Sequence, residues 1–508
     1  MMNLQELFSD IPSLKDASPP PIDVSFLTVD SRETIPGALF IAVCGVNADG
    51  HQFLHQAAEN GAVAAIGEKP ADNLPIPYFR VSNSRRVFSE LAAAWYGYPA
   101  RQLTLLGVTG TDGKTTTVNL LYQMMKAAGL RAGMISTVNA VVGDRVMDTG
   151  LHVTTPDPME VQALLADMVQ AGLTHAVLEV TSHGLAQHRV LPDDFRVAIL
   201  TNITHEHLDY HGSYQAYHDA KAMLFRVAYA GAQPKVCVIN KGDQSYDDLS
   251  RTAQGRVIGY GTPCAEYRAE DVRYSPSGLH AVLAGPAGKQ AIDAHLLGEY
   301  NVQNILAAYA AAVEGLGISP GVAVEGIAAL PGIPGRMEII EMGQPFLAVV
   351  DFAHTPNALQ VTLETCRDLC EGRVIAVFGS AGLRDREKRR MMAEVSVQAA
   401  DMTVLTAEDP RTEDLDRILA EMAEGAVSAG GEEGETFLRV ADRGDAISCA
   451  LQLAAPGDLV VACGKGHEQS MCFGEEEYPW DDRTAMRAAL AQLIGVTGPA
   501  MPFLPTQG

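Results

Sequence analysis

The sequence predicts an α/β protein of three domains, and three observations carry that prediction. Its 508 residues exceed what a single hydrophobic core organises. Apolar strands alternate with long helical stretches through two large blocks, the pattern of parallel sheets with crossover helices. A proline- and glycine-rich stretch, Pro331-Gly332-Ile333-Pro334-Gly335, separates those two blocks. With 47% hydrophobic and 19% charged residues the chain is of ordinary globular type, which excludes disorder, collagen and coiled coil.

The first domain, residues 1–100, mixes short β-rich runs at 38–43, 62–66 and 76–81 with a helical stretch from Ser84, and closes at Tyr98-Pro99-Ala100. The central domain, 101–332, carries strands at 103–109, 176–180, 197–203 and 236–240, with a helix over 114–128 after the first. The third, 333–508, has strands at 347–351, 374–379, 402–406 and 459–463 interleaved with helical segments, a second α/β sheet of Rossmann-like character. An acidic loop at 430–435 and a frayed tail after Thr497 complete the reading.

The formal charge of −25 argues against nucleic acid or an anionic membrane as partner, since the mean field repels both. A polyanionic substrate must then be held by local devices: helix N-termini, a few arginines, a divalent metal. No run approaches eighteen apolar residues and the N-terminus does not resemble a signal peptide, so a cytoplasmic protein without a membrane span is expected. The eight cysteines show no paired spacing and read as free, mostly buried thiols.

The first chemical signal follows the first central strand: Gly110-Thr111-Asp112-Gly113-Lys114-Thr115-Thr116. Glycines, a lysine and hydroxyls at a helix start aim backbone N–H groups and an ammonium at phosphate, with Thr115 placed for magnesium. The strict phosphate-loop pattern would need glycine at 108, where valine stands, but the shorter Gly-Thr-x-Gly-Lys-Thr form is intact, so the central sheet reads as P-loop ATPase-like. Glu179 at a strand end, followed by Thr181, Ser182, His183, Gln187 and Arg189, suits a magnesium-holding acid beside a phosphate loop. After the next strand, His205 and His207 could form a zinc pair; the phosphate-site context favours magnesium with an imidazole ligand, or hydrogen bonding. Lys221 reads from its surroundings alone as a solvated helix lysine.

Taken in order, Gly110–Thr116, Glu179-Val-Thr-Ser-His183, Thr204-x-x-His207-Leu-Asp-Tyr-His211 and Ala220-Lys221-x-x-Leu-Phe225 resemble the Mur ligase family of ATP-dependent amide-forming enzymes. Tyr300-Asn301-Val-Gln-Asn304, Gly335-Arg336-Met-Glu338, Asp351-Phe-Ala-His354 and Gly464-Lys-Gly-His-Glu468 continue the resemblance, as do Asp30-Ser31-Arg32 and Asp49-Gly50-His-Gln-Phe53 near the N-terminus. It spans essentially the whole chain and is strongest to the members that add the third residue to UDP-MurNAc-L-Ala-D-Glu.

The resemblance implies an acyl-phosphate mechanism with ATP and Mg2+, catalysed in a cleft that closes between domains. Lys114 and Arg336 would neutralise the transferred phosphoryl group; of two magnesium ions Thr115 would serve one and Glu179 and His207 the other, with Lys221, as a carbamate, beside magnesium. The phosphate loop, with Asn301 and Asn304 at the adenine and Asp351 and His354 from the third domain, would hold the nucleotide. The UDP-sugar end would rest in the first domain on Ser31, and on Thr154, Thr155, Thr181, Ser182, Gln187 and Arg189. The incoming diamino acid would meet Arg384, Asp409, Arg411, Gly464 and Glu468. Where diaminopimelate-selecting members carry Asp-Asn-Pro-Arg, this chain has Glu408-Asp409-Pro410-Arg411. The added charge of Asp409 tilts toward lysine or ornithine and the retained Arg411 tilts toward diaminopimelate. Two rivals are another ligase of the polyglutamate or cyanophycin type, which would lack the Asp30-Ser31-Arg32 block, and a non-catalytic subunit that binds cell-wall precursor, which would have lost Lys114, Glu179, His207 or Lys221. A monomer is the working expectation.

Overall fold

The computed structural model describes residues 1–45, 48–148, 155–204 and 208–506. Two of the expected site residues, Thr154 and His207, lie outside the described residues. The chain folds into two compact units: Met1–Ala269 with Leu283–Gln290 and Gln303–Ile327, and Glu270–Val282 with Ala291–Val302 and Ala328–Gly508.

Within the first unit, residues 1–100 build a four-stranded parallel sheet in the order Phe26–Thr28, Ala38–Ile41, Ala64–Gly67, Tyr78–Arg80. The helix Ser84–Trp95 covers it, started by the Asn83 side chain accepting from Arg86 N. The N-terminal segment is anchored by Leu4, Leu7, Phe8, Ile11 and Leu14, which enter the same core as Val87 and Leu91. The i, i+3, i+4 spacing of Leu4, Leu7 and Phe8 is a one-turn amphipathic stripe too short to stand out in a longer window.

The main sheet of this unit has eight strands, in the order Arg145–Asp148, Asn139–Val142, Ala132–Ile135, His175–Glu179, Thr104–Thr109, Phe195–Leu200, Val236–Asn240, Arg256–Tyr260. The last six run parallel, and the first two attach antiparallel. The strand into the phosphate loop is central, paired on one side with the Glu179 strand and on the other with Phe195–Leu200. This register sets Glu179 opposite Val108, so the acid and the loop leave the same sheet edge together. A three-stranded sheet over Arg268–Ser275, Gly278–Gly285 and Gly288–Ala294 escaped the sequence reading because its outer strands are largely polar and exposed.

The second unit is a six-stranded sheet ordered Glu338–Ile339, Leu347–Asp351, Leu459–Cys463, Val374–Phe378, Met402–Leu405, Phe437–Arg439, parallel except for the first strand. Leu459–Cys463 and Val374–Phe378 are buried throughout, which is why they read as continuous apolar runs rather than alternating ones. The tail expected to fray is docked: Leu504 is fully buried in this core and Thr506 Oγ1 donates to Asp442 Oδ2 at 2.6 Å. One leucine and one hydroxyl suffice to hold a polar-looking segment. The cysteines also differ from expectation: Cys237, Cys366 and Cys463 are buried, but Cys44 and Cys264 are exposed.

Candidate active site

The helix Lys114–Ala127 begins on Gly113 with no side-chain cap, leaving the first-turn N–H groups to a ligand or water. Gly113 has φ +81°, and a Cβ there would lie 2.0 Å from Asn304 Oδ1, so both the turn and the close approach of Asn304 require glycine. The loop is fixed from behind by Thr111 N to Asn202 O (2.8 Å), Asp112 N to Asn202 Oδ1 (2.9 Å) and Thr201 Oγ1 to Asp112 O (2.6 Å). Lys114 Nζ folds onto the loop, donating to Thr111 O at 2.7 Å and Gly110 O at 3.1 Å.

Thr115 and Glu179 meet directly: Thr115 Oγ1 donates to the carboxylate at 3.0 Å, and Thr137 N donates to the same oxygen. Lys221 is not solvated. The helix Tyr214–Arg226 buries it to 1% exposure, its Nζ donates to Gly110 O at 2.5 Å, and it lies 4.6 Å from the Tyr217 ring centroid. Tyr217 in turn shares a 2.9 Å hydrogen bond with Thr111 Oγ1. Burial by the helix face, invisible in local composition, makes Lys221 part of the loop.

A second cluster gathers the residues expected at the sugar nucleotide. Thr155 and Thr181 share a 3.0 Å hydroxyl bond, Thr181 caps the short helix Ser182–Ala186, and Arg189 donates to Thr155 O at 2.6 Å and to Gln187 Oε1 at 2.9 Å. Gln187 reaches Tyr210 OH at 3.0 Å, and Ser182 Oγ bonds His211 Nε2 at 3.1 Å. Ser31 is bonded elsewhere, to Gln56 Oε1 through its hydroxyl and to Asn60 Nδ2 through its carbonyl.

In the second unit, Phe352 is a centre that the sequence did not reveal. The Arg336 guanidinium lies 4.3 Å over its ring, and the His354 and His467 rings pack at 4.6 and 4.8 Å. Two buried atoms here have no hydrogen-bond partner among the described residues, Arg336 Nε and His467 Nδ1. Burial, helped by Arg336, pushes His467 down to about 3, so the ring is neutral. Asp351 does not face outward: its carboxylate accepts from Met337 N, Ala353 N and Thr362 Oγ1, fixing the residue after Arg336 and the residue before His354. Asn301 likewise turns its Nδ2 to Leu297 O at 2.6 Å.

The expected amino-acid residues leave neighbouring strands of this sheet. Gly382 N donates to Asp409 O at 2.9 Å, tying the Arg384 loop to the Asp409–Arg411 loop. Leu383, Asp409 and Arg411 all have positive φ, +57°, +40° and +55°, strain that the packing around them must hold. Arg443, fully buried, donates to Ala407 O and Cys463 O and pairs with Asp482 at 2.6 Å, so one guanidinium locks the chain just before Glu408 and just before Gly464. The Asp409 carboxylate accepts from Lys465 Nζ and Cys472 N, both at 2.9 Å, and Lys465 also reaches Glu468 Oε2 at 2.6 Å. The charge expected to steer selection toward lysine or ornithine is thus already compensated. The carboxylate oxygen without a partner belongs instead to Glu408, pushed up to about 7 by burial, its Oε2 only 2.3 Å from where a Cβ at Gly464 would stand.

Family models match three consecutive segments: Mur ligase family, catalytic domain, over 23–96; Mur ligase middle domain over 108–312; and Mur ligase, glutamate ligase domain, over 335–466. A UDP-N-acetylmuramyl-tripeptide synthetase of Roseiflexus sp. (strain RS-1) is 41% identical across 97% of this chain and 99% of its own. The chain belongs to the Mur ligase family. A second relative, the UDP-N-acetylmuramoyl-L-alanyl-D-glutamate--2,6-diaminopimelate ligase of Geobacillus thermodenitrificans (strain NG80-2), is 39% identical over 97% of this Mur ligase and 100% of its own length. A solved 2,6-diaminopimelate ligase superposes with TM-score 0.66 at 31% identity, covering 97% of this chain and 99% of that one. The Mycobacterium tuberculosis folylpolyglutamate synthase complexed with ADP and AMPPCP shares the fold, with TM-score 0.61 at 18% identity over 80% of this chain and 94% of that chain.

One further cluster in this Mur ligase looks metal-like: Cys44 Sγ, Asp49 Oδ1 and His51 Nδ1 lie within 4.8 Å of one another. Its hydrogen bonds argue otherwise. His51 Nε2 accepts from Glu68 N at 2.7 Å, which assigns the proton to Nδ1, where it donates to Asp49, itself paired with Lys69. A ligating imidazole needs the opposite arrangement, its second nitrogen donating outward. Of the functional candidates missed from sequence, Lys465 and His467 stood inside a quoted motif, and Glu408 stood beside Asp409. Phe352 also stood inside a quoted motif, Asp351–His354, while Tyr217 gave no signal beyond an aromatic near Lys221.

Proposed function

We propose that this Mur ligase adds the third residue, meso-diaminopimelate, to UDP-MurNAc-L-Ala-D-Glu in peptidoglycan synthesis, at the expense of ATP. The observation that carries the reading is the meeting of Lys114 and Lys221 on one carbonyl, Gly110 O, beside the buried Thr115–Glu179 pair. The names of the relatives, a tripeptide synthetase and diaminopimelate ligases, supply the substrate class.

An amine cannot displace oxygen from a carboxylate directly, because oxide is a poor leaving group. The D-glutamate carboxylate therefore attacks the γ-phosphorus of ATP, ADP leaves, and the amine of the incoming amino acid attacks the acyl carbon and expels phosphate. Lys114 exchanges its two carbonyl acceptors for phosphate oxygens, which are stronger acceptors of a charged donor. Arg336 is assigned to the transferred phosphoryl group on the resemblance alone. The oxygen donors of Thr115 and Glu179 are of the hard type that suits Mg2+, and they already stand within hydrogen-bonding distance of each other at the loop. The ion when bound neutralises phosphate charge. Lys221 serves the same place after its neutral amine adds to carbon dioxide with loss of a proton, turning a cation into a carboxylate; His207 is assigned with it.

Diaminopimelate is favoured over lysine because it brings a second carboxylate for Arg384 and Arg411, which lysine lacks; both bring the ammonium assigned to Glu468, and Asp409 adds no free charge. The domain limits 1–100, 101–332 and 333–508, a cytoplasmic site of action and a monomer belong to the same proposal. The test is phosphate release from ATP with UDP-MurNAc-L-Ala-D-Glu and, separately, meso-diaminopimelate, L-lysine or L-ornithine, with the product mass confirmed. Release only with diaminopimelate is expected; release with none of the three would reject the assignment.

A further inference from the structure

The loops that carry the amino-acid residues contain one cation that no part of the mechanism uses. Lys465 is 1% exposed, and its ammonium stands between two carboxylates from different places in the sequence, Asp409 Oδ1 at 2.9 Å and Glu468 Oε2 at 2.6 Å. The two differ in exposure: the Asp409 side chain is 10% exposed and that of Glu468 30%. Asp409 is further closed off by Cys472 N and sits at φ +40°, a backbone that a non-glycine residue keeps only when its contacts enforce it. Glu468 is held at its base by Glu468 N donating to Lys465 O at 2.9 Å. No hydrogen bond or ion pair of the Arg384 or Arg411 side chain is found among the described residues, so these guanidinium groups remain for a substrate carboxylate.

We propose that Lys465 is the positioning residue for diamino-acid selection: it holds Asp409 as a structural partner and fixes Glu468 as the carboxylate presented to the substrate ammonium. The proposal rests on the function given above and deepens it. Selection then depends on the spacing between the Glu468 carboxylate and the guanidinium groups of Arg384 and Arg411, not on whether position 409 is acidic. The ammonium is stable there: burial alone would lower Lys465, but Glu468 and Asp409 outweigh it and hold the group above its ordinary value. Lys465 need not touch substrate, because a carboxylate left to rotate freely offers its charge at no fixed distance from the arginines.

The experiment compares Lys465→Met, Lys465→Arg, Asp409→Asn and the double variant Asp409→Asn with Lys465→Met in the full chain. KM and kcat are measured for each substrate, together with the kcat/KM ratio of meso-diaminopimelate to L-lysine. Asp409→Asn should leave that ratio within about threefold, since it removes a charge already neutralised. Lys465→Met should raise the KM for diaminopimelate by about tenfold or more and lower the ratio, with the KM for ATP unchanged within about twofold. Lys465→Arg should recover most of the loss. The double variant, which leaves no unpaired buried charge, should fold like the parent yet keep the raised KM, because Glu468 is still unheld.

A shift of the ratio by about tenfold in Asp409→Asn would overturn the proposal, and that variant decides even if Lys465→Met does not fold. So would a diaminopimelate KM unaffected in the double variant, or one that rises only in step with the KM for ATP. Failure of the parent enzyme with every diamino acid would instead reject the proposed function, which separates the two.

Discussion

The loop after Thr104–Thr109 and the loops after the strands of the second unit are both assigned charged ligands by the proposed function, yet they are built differently. Around Gly110–Thr115 the polar groups answer one another: lysines on loop carbonyls, a threonine on a glutamate, backbone N–H groups on Asn202. Around Glu408–Arg411 and Gly464–Glu468, charge is held in side-chain pairs, the backbone is strained at three non-glycine residues, and Glu408 Oε2 and His467 Nδ1 are buried without partners. The first site is made chiefly of backbone placed by glycine and a helix start; the second is made of side chains held in tension by a buried scaffold. Phosphate is the same in every nucleotide and suits a fixed cradle, whereas discrimination between amino acids needs side chains that can differ.

The contrast breaks first if Lys114 is replaceable. Lys114→Ala should reduce phosphate release about 10³-fold or more, because an ammonium facing developing phosphoryl charge in a water-poor site has no substitute. Its two bonds in the free protein are to carbonyls at a partly exposed loop, so denaturant stability should change by no more than about 0.5 kcal/mol. Activity within tenfold of the parent would mean that the backbone cradle suffices alone.

The complementary expectation is that the second site fails through its scaffold. Arg443→Met leaves Asp482 buried without its ion-pair partner and takes the donor from Ala407 O and Cys463 O together. A loss of about 3–5 kcal/mol in urea unfolding is expected, with the diamino-acid KM raised in whatever protein remains folded. A loss below about 1 kcal/mol would show that the loops do not depend on this pair.

These two variants also mark what the sequence could show. Lys114 was readable because glycines, lysine and threonines in a row after an apolar strand have few alternative uses, and its neighbour Glu179 ends the adjacent strand. Lys221 was not readable locally, since Tyr217-His-Asp-Ala-Lys221 fits any surface helix; only the resemblance raised it, and burial by the helix face then placed it. Arg443 carries no signal, and Lys465 none beyond its place in the Gly464–Glu468 motif, because an arginine in a helix start and a lysine between glycines acquire their pairing only when partners about 40 to 60 residues away fold against them. The tilt of Asp409 toward lysine or ornithine counts its charge without Lys465, which pairs with it only in the fold. Fold was legible further than site, because hydrophobic period is local and ion pairing is not.

Glu408 sharpens the comparison at lower energy. Burial raises its carboxyl from 4.5 to about 7, so the folded chain holds the proton over a range where the unfolded chain has lost it. Stability contributed by the neutral form is complete below pH 4.5 and is lost as pH rises to about 7, by up to ~3 kcal/mol. His467, pushed down to about 3, runs oppositely, losing stability as pH falls below its ordinary 6.5. Glu408→Gln isolates the first effect: the variant should gain on the parent between pH 5 and about 7.5, in urea unfolding at each pH, while the His467 contribution cancels. A difference independent of pH would mean that Glu408 is ionised and partnered at all of them.

The smallest effect tests whether the first unit's answered bonds need their residue types or only their donors and acceptors. The Thr181 hydroxyl both bonds Thr155 Oγ1 and accepts from Gly184 N to start the helix Ser182–Ala186. Thr181→Ser keeps that oxygen and drops one methyl, so stability should move by less than about 0.5 kcal/mol and the KM for the UDP-linked substrate by less than about threefold. Thr181→Ala removes the cap and leaves Thr155 without its hydroxyl partner, for about 1 kcal/mol in unfolding and a clearly raised KM. Equal behaviour of serine and alanine in both measurements would show that position 181 acts through shape, and the distinction between a bonded first site and a strained second one would then rest on the phosphate loop alone.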